Sequence, residues 1–204
     1  MNLESDAWTP RRAETVLREV LGKIGIDAGD FRLLRLGENM SFAVDSAALV
    51  VRLSRPYATE AAIENEIGCA RYLEEQGYPA GRLFGEVRQP LESRLGWVTL
   101  WRQQAGREGK DEDQSHLGHL LGLLHRLPPS SSMRSWAPLS KVDERMRQIS
   151  LQGRVPEGDI RFLWGLKSRL ESDATALSRA CVNTMCHGDA HTGNLLIDDD
   201  SETA

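Results

Sequence analysis

The sequence has little that suits a secreted, membrane-bound or nucleic-acid-binding chain. Only three of its 204 residues are cysteine, Cys69, Cys181 and Cys186, and none stands in a C-x-x-C spacing. An odd, scattered set does not support a disulfide framework, and a reducing cytoplasm is the expected home. Positive charge is not in excess. The 25 Lys and Arg face 30 Asp and Glu, for a net charge of −5, which argues against nucleic acid or an anionic membrane as partner. No apolar run approaches the roughly 20 residues of a membrane span. The first six residues, Met1 to Asp6, are polar and acidic, unlike a signal peptide. Internal repeats and low-complexity tracts are also missing. What remains is a soluble globular composition, 40% hydrophobic and 27% charged, long enough for one domain or two small lobes around a buried core.

Thr9-Pro10 has the order of a helix N-cap and first turn, and Ala13, Val16, Leu17, Val20, Leu21 and Ile24 then recur at helical spacing. After Gly29 the period changes, and residues 31–36, 40–45 and 47–53 read as three short strands. Thr59 caps a second helix to about Gln76, ended by Gly77 and Pro79, and 82–88 and 95–101 read as further strands. This is a mostly antiparallel sheet with one helix inserted. Arg102 to Asp113 is polar and reads as a linker. Beyond it the chain turns helical, first in a leucine-lined helix capped by Asp113 and stopped by Pro128-Pro129, then at 141–150 and 157–180, and strand character returns at 183–187 and 194–197. The layout is α+β: a β-rich lobe over 1–101 and a helical lobe over 102–204.

The loop between the last two strands is His187-Gly188-Asp189-Ala190-His191-Thr192-Gly193-Asn194. An Asp followed five residues later by an Asn fits a kinase-type catalytic loop. Phosphoryl transfer needs a carboxylate to orient and deprotonate the attacking hydroxyl, and oxygen ligands to hold Mg²⁺ against the phosphates. Asp189 and Asn194 can supply one of each, and the amide adds no charge near the transferring group. The same residues also fit a plain turn between two strands. A third reading, a metal hydrolase, would take His187, Asp189 and His191 as ligands, with His116, His119 and His125 in reserve.

HGDAHTGNLLID at 187–198, LGHLLGLLHRLP at 117–128, VTLW at 98–101 and ALVVRLSRP at 48–56 together resemble the aminoglycoside phosphotransferase and choline-kinase-like family. The resemblance runs from about Gly37 to Asp198. It implies a protein-kinase-like two-lobed fold, with ATP or GTP as donor, Mg²⁺ as cofactor and a small hydroxylated, possibly cationic, molecule such as an aminoglycoside-like antibiotic as acceptor. On this resemblance Asp189 is the catalytic base, Asn194 a Mg²⁺ ligand, and His187 and Gly188 structural members of the loop. The Gly37-to-Ser41 hairpin covers the nucleotide phosphates, Arg52 stands where kinases place a phosphate-pairing lysine, and Trp101, Arg102 and Gln103 form the hinge against the purine. Arg52 interrupts an apolar strand and needs an anion. Glu66 falls on the stripe of Ile63, Ile67, Ala70 and Leu73 and is its expected partner.

Only ten residues follow Asn194, so the sequence reads as a family member that stops early. The Asp198-Asp199-Asp200 triplet is expected to be a solvated turn rather than the family's second metal carboxylate. The alternative function is therefore a catalytically deficient kinase-like module that binds nucleotide without turnover.

Overall fold

The computed structural model describes residues 8–85, 87–130, 133–134, 139–153, 155–180 and 184–198. Helix α1 (Pro10–Lys23) begins at the expected cap, with the Thr9 hydroxyl accepting the Arg12 N–H at 3.4 Å. Its Ala13, Val16, Leu17, Val20 and Leu21 form a single buried stripe. They pack on a five-stranded sheet of β1 (Arg32–Leu36), β2 (Met40–Val44), β3 (Leu49–Leu53), β4 (Leu91–Ser93) and β5 (Gly96–Arg102). The strand order is β1-β2-β3-β5-β4 and every neighbouring pair is antiparallel. Met40, Phe42, Val44, Leu49, Val51, Leu53, Val98 and Leu100 share one core with the α1 stripe. Truncating one of these fully buried leucines to alanine costs about 2–5 kcal/mol.

The two-residue period of a strand sends the intervening side chains to the opposite face. There α2 (Glu60–Glu75), capped by Thr59, packs Ile63, Ile67 and Ala70 against Leu83, Trp97 and Trp101. The same face carries Ser41, Arg52 and Thr99, which are direct cross-strand neighbours.

Several stretches differ from the sequence reading. The described residues of 82–88 are not a strand; they contribute one isolated bridge, Leu83 to Trp101. The buried Gln89 side chain takes a strand's place instead. Its Oε1 accepts the Leu100 N–H at 2.7 Å and its Nε2 donates to the Leu100 carbonyl at 3.3 Å. The stretch read as a linker contains β6 (Arg107–Glu108), paired antiparallel with β7 (Leu196–Ile197). Strand character at 194–197 thus shrinks to two residues, and 184–187 are not strand. Residue 183, and Asp199 and Asp200 of the acidic triplet, lie outside the described residues. Helix α3 (Gln114–Leu124) follows β6 and is tied to the end of α2 by the Tyr78 hydroxyl, which donates to the Leu120 carbonyl at 3.2 Å.

The chain divides into two compact units, Met1–Met133 with Cys186–Ala204, and Arg134–Met185. The second unit holds α4 (Ser140–Gln152) and α5 (Glu157–Ala180). Lys167 of α5 bridges them, with Nζ 3.0 Å from Asp143 of α4 and a second ion pair to Glu171. Among the described residues no helix is long and apolar enough to cross a membrane.

The Gln89 arrangement generates a stability prediction. Gln89→Met keeps the volume but leaves the Leu100 N–H without a partner, so we expect a loss of about 1–3 kcal/mol in denaturant unfolding at an unchanged m-value. A loss near zero would show that the amide is not what caps β5.

Candidate active site

Residues 187–194 make a tight loop within the first unit. Gly188 turns it with φ +81°, a left-handed conformation that glycine takes without a Cβ penalty. The Asp189 N–H donates to His187 Nδ1 at 3.4 Å. Asn194 closes the loop, its Nδ2 donating to the Asp189 carbonyl at 2.9 Å and its own N–H to the His191 carbonyl at 3.0 Å. With the amide nitrogen committed inward, Oδ1 faces outward, and Arg35 Nη1 of β1 lies 3.4 Å from it. The Asp189 carboxylate is 82% exposed, with His191 Nε2 at 3.9 Å. The loop thus presents an accessible carboxylate and an outward amide oxygen, five residues apart.

What positions this loop is the segment read as a linker. A Cβ on Gly109 would stand 2.6 Å from the Thr192 carbonyl oxygen, and one on Gly106 (φ +131°) 2.6 Å from that of Ile197. Real Cβ atoms do not approach backbone so closely, and only glycine lets the two segments meet. The Gly109 N–H donates to the Leu195 carbonyl at 3.1 Å, beside the β6–β7 pairing. The segment's own end is fixed by Asp113, 4% exposed. Its carboxylate receives two Arg107 N–H groups, at 2.8 and 3.2 Å, and the Lys110 N–H at 2.7 Å. The Arg107 hydrogen bonds, and then the Lys110 N–H, hold its pKa down at about 2. Sequence reasoning missed Gly106, Arg107, Gly109 and Arg35, and it read Asp113 only as the cap of the following helix, where it stands at the N-cap position without a side-chain cap hydrogen bond. The only advance signal was the glycine pair bracketing Arg107-Glu108.

On the sheet, Arg52 pairs across β2 with Ser41 and across β5 with Thr99. Its guanidinium is ion-paired and hydrogen-bonded to Glu66 of α2 and lies 5.2 Å from the Trp101 ring centroid. The Trp101 indole N–H donates to Thr99 Oγ1 at 2.9 Å. Ser41, Arg52, Glu66 and Trp101 are therefore brought together on the α2 face. Backbone groups around Arg102 and Gln103 are largely engaged within the protein. The Arg102 N–H donates to the Arg82 carbonyl at 2.8 Å, and the Gln103 N–H to the Ala48 carbonyl at 2.9 Å. The Gln103 side-chain amide donates to Asp45 Oδ1 at 2.8 Å, and its Oε1 is buried without a partner. The hairpin at 37–41 is held by Arg55, which donates to the carbonyls of Gly37 at 3.0 Å and Glu38 at 3.1 Å.

Among the described residues no three His, Cys, Asp or Glu side chains are grouped to hold a metal. His187, Asp189 and His191 share a loop without forming a ligand set. The amide oxygen of Asn194 does suit Mg²⁺ carried on a nucleotide, since such a metal takes one or two protein oxygens and completes its shell with phosphates and water.

An α+β chain with a five-stranded antiparallel sheet and an H-G-D-x4-N loop has the architecture of kinase-like phosphotransferases, and solved structures agree. The fold is similar to an aminoglycoside phosphotransferase, APH(3'')-Id, from Streptomyces rimosus (TM-score 0.61, 19% identity, 94% of this chain and 72% of that one). It is also similar to an ethanolamine kinase of Plasmodium vivax (0.61, 14%, 93% and 59%) and to a spectinomycin phosphotransferase, APH(9)-Ia, solved with ADP and spectinomycin (0.51, 18%, 91% and 65%). The chain thus spans about three-fifths to three-quarters of the length of these structures. No curated protein matches the sequence. The model of the phosphotransferase enzyme family, APH, matches residues 33–204. The chain belongs to that family.

Asp113 makes the acid side of stability testable. Its folded pKa lies below the ordinary carboxylate value of 3.8. The unfolded state therefore takes up the proton first as pH falls, and the stability it contributes is present above about pH 4 and lost between there and about pH 2. We expect Asp113→Asn to be less stable at neutral pH and to show a flatter decline over that window in unfolding titrations. Parallel pH profiles would show that the Arg107–Asp113 pair carries no linkage.

Proposed function

We propose that the chain moves the terminal phosphate of a nucleoside triphosphate, ATP or GTP, to a hydroxyl of a small molecule in the cytoplasm. The observation that carries the reading is the 187–194 loop, in which the Asn194 amide nitrogen is held by the Asp189 carbonyl, its oxygen is turned toward Arg35 and the Asp189 carboxylate is exposed. Asp189 accepts the proton of the attacking hydroxyl and orients it. Asn194 Oδ1 would hold Mg²⁺, which when bound would neutralise charge on the phosphates. Arg52, oriented by Glu66 and Trp101, pairs with the phosphates, while Ser41 and the hairpin held by Arg55 cover them. The base lies past the end of β5, where Trp101, Arg102 and Gln103 form its wall. The acceptor is a cationic, hydroxylated compound of the aminoglycoside or aminocyclitol kind. The names of two structural neighbours and the net negative charge support that choice, and an antibiotic-resistance role follows from it.

Calorimetric nucleotide binding and radiolabelled phosphate transfer to a panel of aminoglycosides and simple amino alcohols test the reading. Asp189→Asn should keep magnesium-nucleotide affinity and lose transfer by about 10²- to 10⁴-fold, the worth of a general base. Asn194→Ala should weaken nucleotide binding only when Mg²⁺ is present. Nucleotide binding with no transfer to any acceptor would support the turnover-deficient module instead. Transfer unaffected by Asp189→Asn would remove the assigned base.

A further inference from the structure

Arg35 lies on the same sheet face as Arg52 only because β1 carries a bulge. Arg32 and Leu33 pair with Ala43 and Phe42, but Arg35 and Leu36 pair with Ser41 and Met40. Leu34 is thus an extra residue. Had the register of Arg32 and Leu33 continued unbroken, Leu34 would pair with Ser41 and Arg35 with Met40, on the face buried under α1. With it, Arg35, Ser41, Arg52 and Thr99 form one cross-strand row. A bulge that re-aims one side chain is characteristic of functional edges.

The two arginines of the row are differently satisfied. Arg52 is neutralised by Glu66. Arg35 contacts a neutral amide oxygen, Asn194 Oδ1, and among the described residues no carboxylate lies within ion-pair distance of it. Its side chain therefore spans from β1 to the catalytic loop, beside the hairpin at 37–41, with its charge uncompensated. Its contact is also the oxygen best placed for a metal, and a metal ion there would repel the guanidinium.

Resting on the phosphotransfer reading above, we propose that Arg35 is a ligand of the nucleotide's terminal phosphate, and that its contact with Asn194 is a resting position it leaves when a metal-bearing nucleotide arrives. The guanidinium fork matches two phosphate oxygens. Arg52 and Ser41, further along the row, are left to the inner phosphates. Arg35 thereby distinguishes a triphosphate from a diphosphate, which favours release of the spent nucleotide.

Calorimetry of the magnesium complexes of ADP and of a non-hydrolysable ATP analogue, on wild type, Arg35→Met and Arg35→Lys, tests this. Arg35→Met should lower triphosphate affinity by about tenfold, the worth of one charge-assisted hydrogen bond, and change diphosphate affinity by less than about twofold, since neither inner phosphate meets the lost group. Arg35→Lys should fall between, keeping charge but not the fork. Arg35 is exposed on an edge strand, and matched melting temperatures will confirm folding; should the Met variant fail to fold, the Lys variant's triphosphate-selective loss carries the comparison. Equal losses for both nucleotides, or none, would overturn the proposal while leaving the phosphotransfer reading standing. A wild type that binds neither nucleotide would overturn both.

Discussion

Two backbone carbonyls, those of Thr192 and Ile197, stand where residues 109 and 106 would carry their Cβ atoms. That steric constraint organises the rest of the site. It lets a two-residue strand lie directly against the exit of the 187–194 loop, so the loop is braced by backbone instead of by side-chain packing. The brace is in turn fixed by a buried, bidentate Arg107–Asp113 pair at the entry to α3. The loop's polar side chains, which chemistry needs exposed, are thereby relieved of holding it in place.

The sheet contributes the charges. Hydrophobic burial of its α1 face fixes the pleat, and the pleat fixes which residues face α2. Arg52 and Glu66 are each about one-third exposed, and a pair so placed contributes roughly 1 kcal/mol or less to stability. Its value lies in orienting the guanidinium, with Trp101 on its flank. The Leu34 bulge adds a second cation to the row without adding a carboxylate.

Much of the fold was legible because burial leaves periodic marks. The α1 stripe, the caps at Thr9 and Thr59, the three strands after Gly29 and the long helix to Ala180 all announce themselves in apolar spacing. The Arg52–Glu66 contact was legible for the same reason: one charge interrupts a buried strand, the other falls on a buried helix face. Non-local geometry left no such trace. Strand β6 is Arg-Glu, two polar residues whose pairing depends on partners some ninety positions away. Gln89 caps β5 through a side-chain amide, which no strand pattern encodes. The bulge at Leu34 is a register property of two strands together, so FRLLRL alone could not show which face Arg35 would take. The loop's Asp and Asn are plain in the sequence, but the direction of the Asn194 oxygen depends on the hydrogen bond of its amide nitrogen to the Asp189 carbonyl.

The glycine-mediated brace is the claim most directly open to measurement. Gly109→Ala places a methyl against the Thr192 carbonyl, while Gly22→Ala, on α1 with nothing within 4 Å of the added carbon, serves as control. Amide hydrogen exchange should show faster exchange in residues 105–111 and 190–198 of the Gly109 variant, with α1, β2 and β3 unchanged and the Gly22 variant like wild type. Unaltered exchange at 190–198 in Gly109→Ala would contradict the account, since the catalytic loop would then be held by something other than the segment beside it.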